Sequence, residues 1–87
     1  MNNVSNVVSI AEYFKNNEPS KQVFDAIARS SSISGWSLAK SMQMDPERLQ
    51  TYLDELRVRG LIQGDGPGLD AFFYLTELGF RFGSFVS

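Results

Sequence analysis

The tripeptide Met44-Asp45-Pro46 constrains this chain more than any other stretch of its 87 residues. Asp45 accepts hydrogen bonds from the free amides of a helix start, and Pro46 suits the first helical position, where no amide hydrogen is needed. A helix therefore begins here directly after the preceding amphipathic segment, so a tight turn joins the two. Leu49, Leu53 and Leu56 give the new helix one apolar stripe, and Gly60 stops it. Beyond it, Leu61-Ile62-Gln63 and Ala71-Phe72-Phe73-Tyr74-Leu75 flank Gly64-Asp65-Gly66-Pro67-Gly68. Two apolar runs around a Gly-rich turn predict a β-hairpin.

Upstream, Val4, Val7, Val8, Ala11 and Phe14 recur at helical intervals and predict a helix over residues 4–16. Asn16-Asn17-Glu18-Pro19 breaks it, because the residue before a proline is disfavoured in helical geometry. Ser20 then reads as the N-cap of a second helix carrying Val23, Phe24, Ile27 and Ala28 inward. Ser30-Ser31-Ser32 ends that helix by competing for its backbone hydrogen bonds. Ile33 forms a very short strand, and Ser34 caps a third helix with Leu38, Ala39 and Met42 on its buried side. After the hairpin, Thr76 caps a short last helix that returns Leu78, Phe82 and Phe85 to the core. The expectation is one α+β, mostly α domain, a three-helix core with a β-hairpin and an extra N-terminal helix. Residues 1–18 supply that helix and a linker, and residues 19–87 the domain proper.

Helix, short strand, helix, tight turn, helix and hairpin is the succession of a winged helix-turn-helix, and the residues resemble that fold in detail. The stretch from Ser34 to Met44, with its Leu38-Ala39 pair, resembles the first helix of the motif. Asp45 to Ile62 resembles the recognition helix running into the Gly60-Leu61-Ile62 start of the wing. Phe73-Tyr74-Leu75-Thr76-Glu77-Leu78-Gly79 is similar to the close of the wing in MarR-like and PadR-like transcriptional regulators. The resemblance covers residues 20–82. It implies that the helix from Pro46 lies in the major groove of double-stranded DNA and that the wing touches the adjacent backbone. Carried onto this sequence, the candidate DNA-binding residues are Arg48, Gln50, Thr51 and Tyr52, beside Glu47, with Lys40, Ser41 and Gln43 from the preceding helix. Arg48 suits guanine, Gln50 adenine, and Lys40 and Thr51 phosphate. Amides at both helix N-termini add an anion preference.

Two features pull toward a different partner. The wing, Gln63 to Tyr74, contains Asp65 and Asp70 but no lysine or arginine. Across residues 34–62, four basic residues (Lys40, Arg48, Arg57, Arg59) meet four acidic ones (Asp45, Glu47, Asp54, Glu55). The whole chain carries a formal charge of −2, unlike proteins that hold DNA mostly by phosphate neutralisation, so few phosphate contacts and a shallow salt dependence are expected if DNA is bound. The second reading is a protein-interaction module that docks a basic or apolar partner through the acidic, aromatic hairpin. Phe72 and Tyr74 alternate with Phe73 and Leu75, so one pair faces outward and is either covered by the N-terminal helix or forms a partner-binding patch. Trp36 is read as partly buried packing. Val4, Val7, Val8, Ala11 and Phe14 form the candidate homodimer face, or else cap the protomer's own core.

The absence of cysteine and histidine removes disulfides, thiolate metal sites and the commonest general base. No nucleophile–base pair or paired carboxylates occur at catalytic spacing, so neither an enzyme nor a cofactor is expected. No apolar run reaches the roughly 20 residues needed to span a bilayer. The N-terminus lacks the basic start of a secretion signal, and a cytoplasmic setting is expected.

Overall fold

The computed structural model describes the backbone of residues 3–86 and the side chains of residues 8–83. Five helices and three short strands follow in the order α1 (Asn3–Asn16), α2 (Glu18–Ser30), β1 (Ile33–Ser34), α3 (Gly35–Met42), α4 (Pro46–Val58), β2 (Ile62–Gly64), β3 (Phe72–Leu75) and α5 (Glu77–Val86). The strands form one antiparallel sheet in the order β1-β3-β2, with Ile33 opposite Phe73, Ser34 opposite Phe72, and Gln63 opposite Tyr74. This is a winged helix-turn-helix with an additional N-terminal helix.

The apolar periodicities explain the packing. Val23, Phe24 and Ile27 of α2, Leu38 and Ala39 of α3, and Leu49, Leu53 and Leu56 of α4 meet in one buried cluster. Leu61, Ile62, Phe73 and Leu75 close it from the sheet. Ile10 and Phe14 join from α1 and Phe82 from α5. The turn between α3 and α4 begins one residue earlier than Met44. Gln43 stands in the left-handed region at φ 52°, the Met44 amide donates to the Ala39 carbonyl at 3.0 Å, and the Gln43 amide donates to Lys40 at 3.3 Å. That closure is usually given to glycine. As expected, the Asp45 carboxylate accepts from the Arg48 amide, and the Thr76 hydroxyl accepts from the Gly79 amide.

Four expectations are corrected. Helix α2 starts at Glu18, not after Ser20, because Pro19 fits within a first turn whose amides need no partner. Ser20 is fully buried, with its hydroxyl 2.9 Å from that of Tyr13. Ala28 is exposed, since Val23, Phe24 and Ile27 already complete the inward stripe. Phe14, assigned to a dimer face, is buried against Phe24 and Phe82 in the protomer's own core. Finally, the amides at the α3 N-terminus offer no anion site: Gly35 donates to Ala71, Trp36 to Leu69, and Ser37 to the Ser34 hydroxyl. Of the other dimer-face candidates, Val8 and Ala11 are exposed. The side chains of Val4 and Val7, like that of Phe85, lie outside the described residues.

Candidate nucleic-acid interface

Helix α4 has two unlike sides. Leu49, Leu53 and Leu56 lock one side into the core with no solvent exposure, so the helix cannot roll. The other side leaves Glu47, Arg48 and Thr51 exposed over the first turns, with Gln50 and Tyr52 half-buried. Pro46 at the first helical position and the Asp45 cap hold those turns rigid without a long side chain over them.

The hydrogen bonds distinguish the candidates. Arg48 Nε donates to the Tyr52 hydroxyl at 3.3 Å, one helical turn along, which orients the guanidinium through the nitrogen that bidentate recognition does not need. Gln50 donates to Asp54 at 3.0 Å, so its amide is already engaged by a neighbouring carboxylate. Thr51 returns its hydroxyl to the Glu47 carbonyl at 3.2 Å. Lys40 is exposed in the last turn of α3 and forms no salt bridge among the described residues. Ser41 instead lines a groove against α2 with Gln22, Asp25 and Arg29.

The even charge count over residues 34–62 conceals an uneven distribution. Arg57 donates to the Gly66 carbonyl at 3.0 Å and ties α4 to the wing. Arg59 lies over the Tyr13 ring at 3.7 Å and pairs with Glu55 at 3.6 Å, fastening α1 to the end of α4. Both are engaged within the protomer, which leaves Lys40 and Arg48 as the available cations near the exposed start of α4. The Arg59–Glu55 pair is local, but the contacts of Arg57 with Gly66 and of Arg59 with Tyr13 join residues from different elements, which is why sequence reasoning missed them.

The wing is pinned rather than free. Leu69 and Ala71 are buried, their carbonyls hold α3, and the Asp65 carboxylate accepts from the Phe72 amide at 2.9 Å. Gly35 permits this approach, because a Cβ there would lie 2.7 Å from Leu69 Cα. Burial of Leu69 gave no periodic signal, since it interrupts a stretch of glycine, proline and aspartate.

A capped helix locked on one side and open on the other, following a tight turn and followed by a wing, defines a winged helix-turn-helix domain. The chain superposes on the MarR family transcriptional regulator SPO1453 from Silicibacter pomeroyi DSS-3 with a TM-score of 0.66. The match covers 94% of this chain at 19% identity, and the chain spans 62% of that protein's length. At that identity the likeness is one of fold. No protein-family model and no curated protein matches the sequence. Among the described residues, no helix is long and apolar enough to cross a membrane.

Gln43 allows stability and contact to be separated at this site. Gln43→Gly is expected to raise the unfolding free energy by up to about 1 kcal/mol, by relieving the left-handed backbone, and urea titration will show it. A loss of stability would mean that the side chain supports the turn.

Proposed function

We propose that this domain is a DNA-binding transcriptional regulator that reads duplex DNA with the first two turns of α4. The carrying observation is the exposed start of that helix, with Arg48 oriented by Tyr52 and the opposite side immobilised by three buried leucines. A helix fits the major groove, and an arginine held by its Nε presents both terminal nitrogens to a guanine edge. Lys40 supplies a phosphate contact beside it. Gln50 contributes less than its type suggests, because binding adenine requires it to leave Asp54. The shared fold with a transcriptional regulator supports this reading at the level of architecture. A two-fold assembly through α1 would use Val8 and Ala11 rather than Phe14.

The test is fluorescence anisotropy with random and genomic duplexes at two salt concentrations. Arg48→Ala is expected to weaken selective binding by about 1–3 kcal/mol, roughly 5- to 150-fold. Gln50→Ala should change it several-fold less. With two available cations, the slope of log affinity against log salt is expected near −2 per protomer, roughly −0.9 for each neutralised phosphate. Absence of binding at low salt, or selectivity unchanged in Arg48→Ala, contradicts the assignment.

A further inference from the structure

The outward face of the sheet is built differently from the start of α4. Central strand β3 sends Phe73 and Leu75 into the core and leaves Phe72 and Tyr74 outside, at 50% and 37% exposure. Trp36 lies two residues beyond Ser34, the β1 partner of Phe72, and is 52% exposed. Helix α1 covers none of these rings enough to bury them. Two of the three are nonetheless held by their polar ends: the Trp36 indole donates to Asp70 at 2.8 Å and the Tyr74 hydroxyl donates to Gln63 at 3.2 Å, while the Phe72 amide donates to Asp65 at 2.9 Å and fixes the strand beneath its ring. Exposed aromatic rings that are already immobilised lose little entropy when a partner covers them.

Charge decides which partner. Residues 60–80 contain Asp65, Asp70 and Glu77 but no lysine or arginine, and residues 30–39 contain no charged side chain, so the one cation of α3 beside this surface is Lys40, a helical turn from Trp36. Arg57, which reaches the wing tip, is engaged by the Gly66 carbonyl. A phosphate backbone is repelled by this surface. A second copy in a two-fold contact would set Asp65 and Asp70 against carboxylates of the same face, which costs free energy. A cation meets the opposite situation: aromatic faces attract guanidinium and ammonium groups, and each aspartate can accept charge-assisted bonds at its remaining lone pairs.

We infer that Trp36, Phe72 and Tyr74, flanked by Asp65 and Asp70, form a docking surface for a basic, apolar-studded segment of a partner protein. The surface shares no residue with the proposed DNA-reading positions.

Trp36 is the sole tryptophan of the chain, so its emission reports from inside the site. The probe is a synthetic decapeptide of alternating arginine and leucine, titrated into the intact chain. A saturable change in Trp36 emission is expected. Phe72→Ser should weaken it about tenfold or more, as truncation of an interface anchor does. Asp70→Asn retains an acceptor for the indole but removes the charge, and should also weaken binding. Arg48→Ala should leave it unchanged, which separates this surface from DNA reading. Far-ultraviolet circular dichroism of each variant checks the fold, and exposed Phe72 can be replaced without opening the core. The inference is overturned by no saturable change, by an equal response to an alternating glutamate and leucine decapeptide, by undiminished binding in Phe72→Ser, or by a stronger response to a single-stranded oligonucleotide.

Discussion

Gly79→Ala is expected to lower the unfolding free energy by about 2–3 kcal/mol, although it replaces the poorer helix former with the best one. Gly79 lies in α5, where alanine by propensity alone would add about 1 kcal/mol. Sterics oppose it. A Cβ at this position would stand inside the contact distance of the Leu61 carbonyl oxygen and 3.3 Å from Leu75 Cβ. That carbonyl cannot move aside freely, because it accepts the Thr76 amide at 3.0 Å and so joins the start of β2 to the end of β3. The Thr76 hydroxyl, in turn, donates to the Gly60 carbonyl and accepts from the Gly79 amide. Making room for one methyl group therefore strains the junction of α4, the wing and α5 together. For a domain of this size, the loss corresponds to a fall in melting temperature of about 10–20 °C. Gly83→Ala supplies the control, since it lies in the same helix and its Cβ would meet nothing within 4 Å. That variant should be neutral or more stable by up to about 1 kcal/mol. If thermal denaturation finds Gly79→Ala as stable as Gly83→Ala, α5 does not pack on Leu61 as described.

The same junction shows what could be read without a structure. The order of elements was legible because its signals are local: a proline after a capping aspartate, leucines at helical spacing, a glycine at φ 78° ending the run, and a threonine followed three residues later by glycine. The start of α2 is not legible, because Ser20 has the chemistry of a cap whereas its hydroxyl is taken by Tyr13 seven residues upstream. The apparent anion site at α3 was illusory for a similar reason. Its amides are satisfied from Leu69 and Ala71, more than thirty residues away, and no periodicity encodes such a partner. Charge suffered most. Arg57 and Arg59 count equally with Arg48 in a tally, but one fastens the wing and the other fastens α1. The candidate site contracts accordingly to Arg48 and Lys40, with Thr51 and Tyr52 beside them.

Phe14→Ala is expected to have the largest effect of any substitution proposed for this chain, a destabilisation of about 3–5 kcal/mol. Phe14 is 2% exposed and sits among three other rings, 5.3 Å from Phe24, 5.4 Å from Phe82 and 5.5 Å from Tyr13 between centroids. Truncation removes the transfer free energy of the ring and leaves a cavity among three elements, α1, α2 and α5, that cannot collapse onto it together. An 87-residue domain holds about 5–10 kcal/mol in total, so the variant should be close to its unfolding threshold at 37 °C. The measurement also separates the two roles open to α1. If the ring belongs to the protomer's own core, the loss is independent of protein concentration. The double variant Phe14→Ala with Phe82→Ala should then lose less than the sum of the two single changes, because the rings share one contact. If Phe14 instead served a two-fold contact, the melting temperature would rise with protein concentration in the parent and lose that dependence in the variant. Val8→Ala, on the same helix but exposed, should stay within about 0.5 kcal/mol of the parent when measured as a monomer. Thus α1 divides its work by face. Ile10 and Phe14 complete the domain, and a contact between copies through α1 would use the side where Val8 and Ala11 stand exposed.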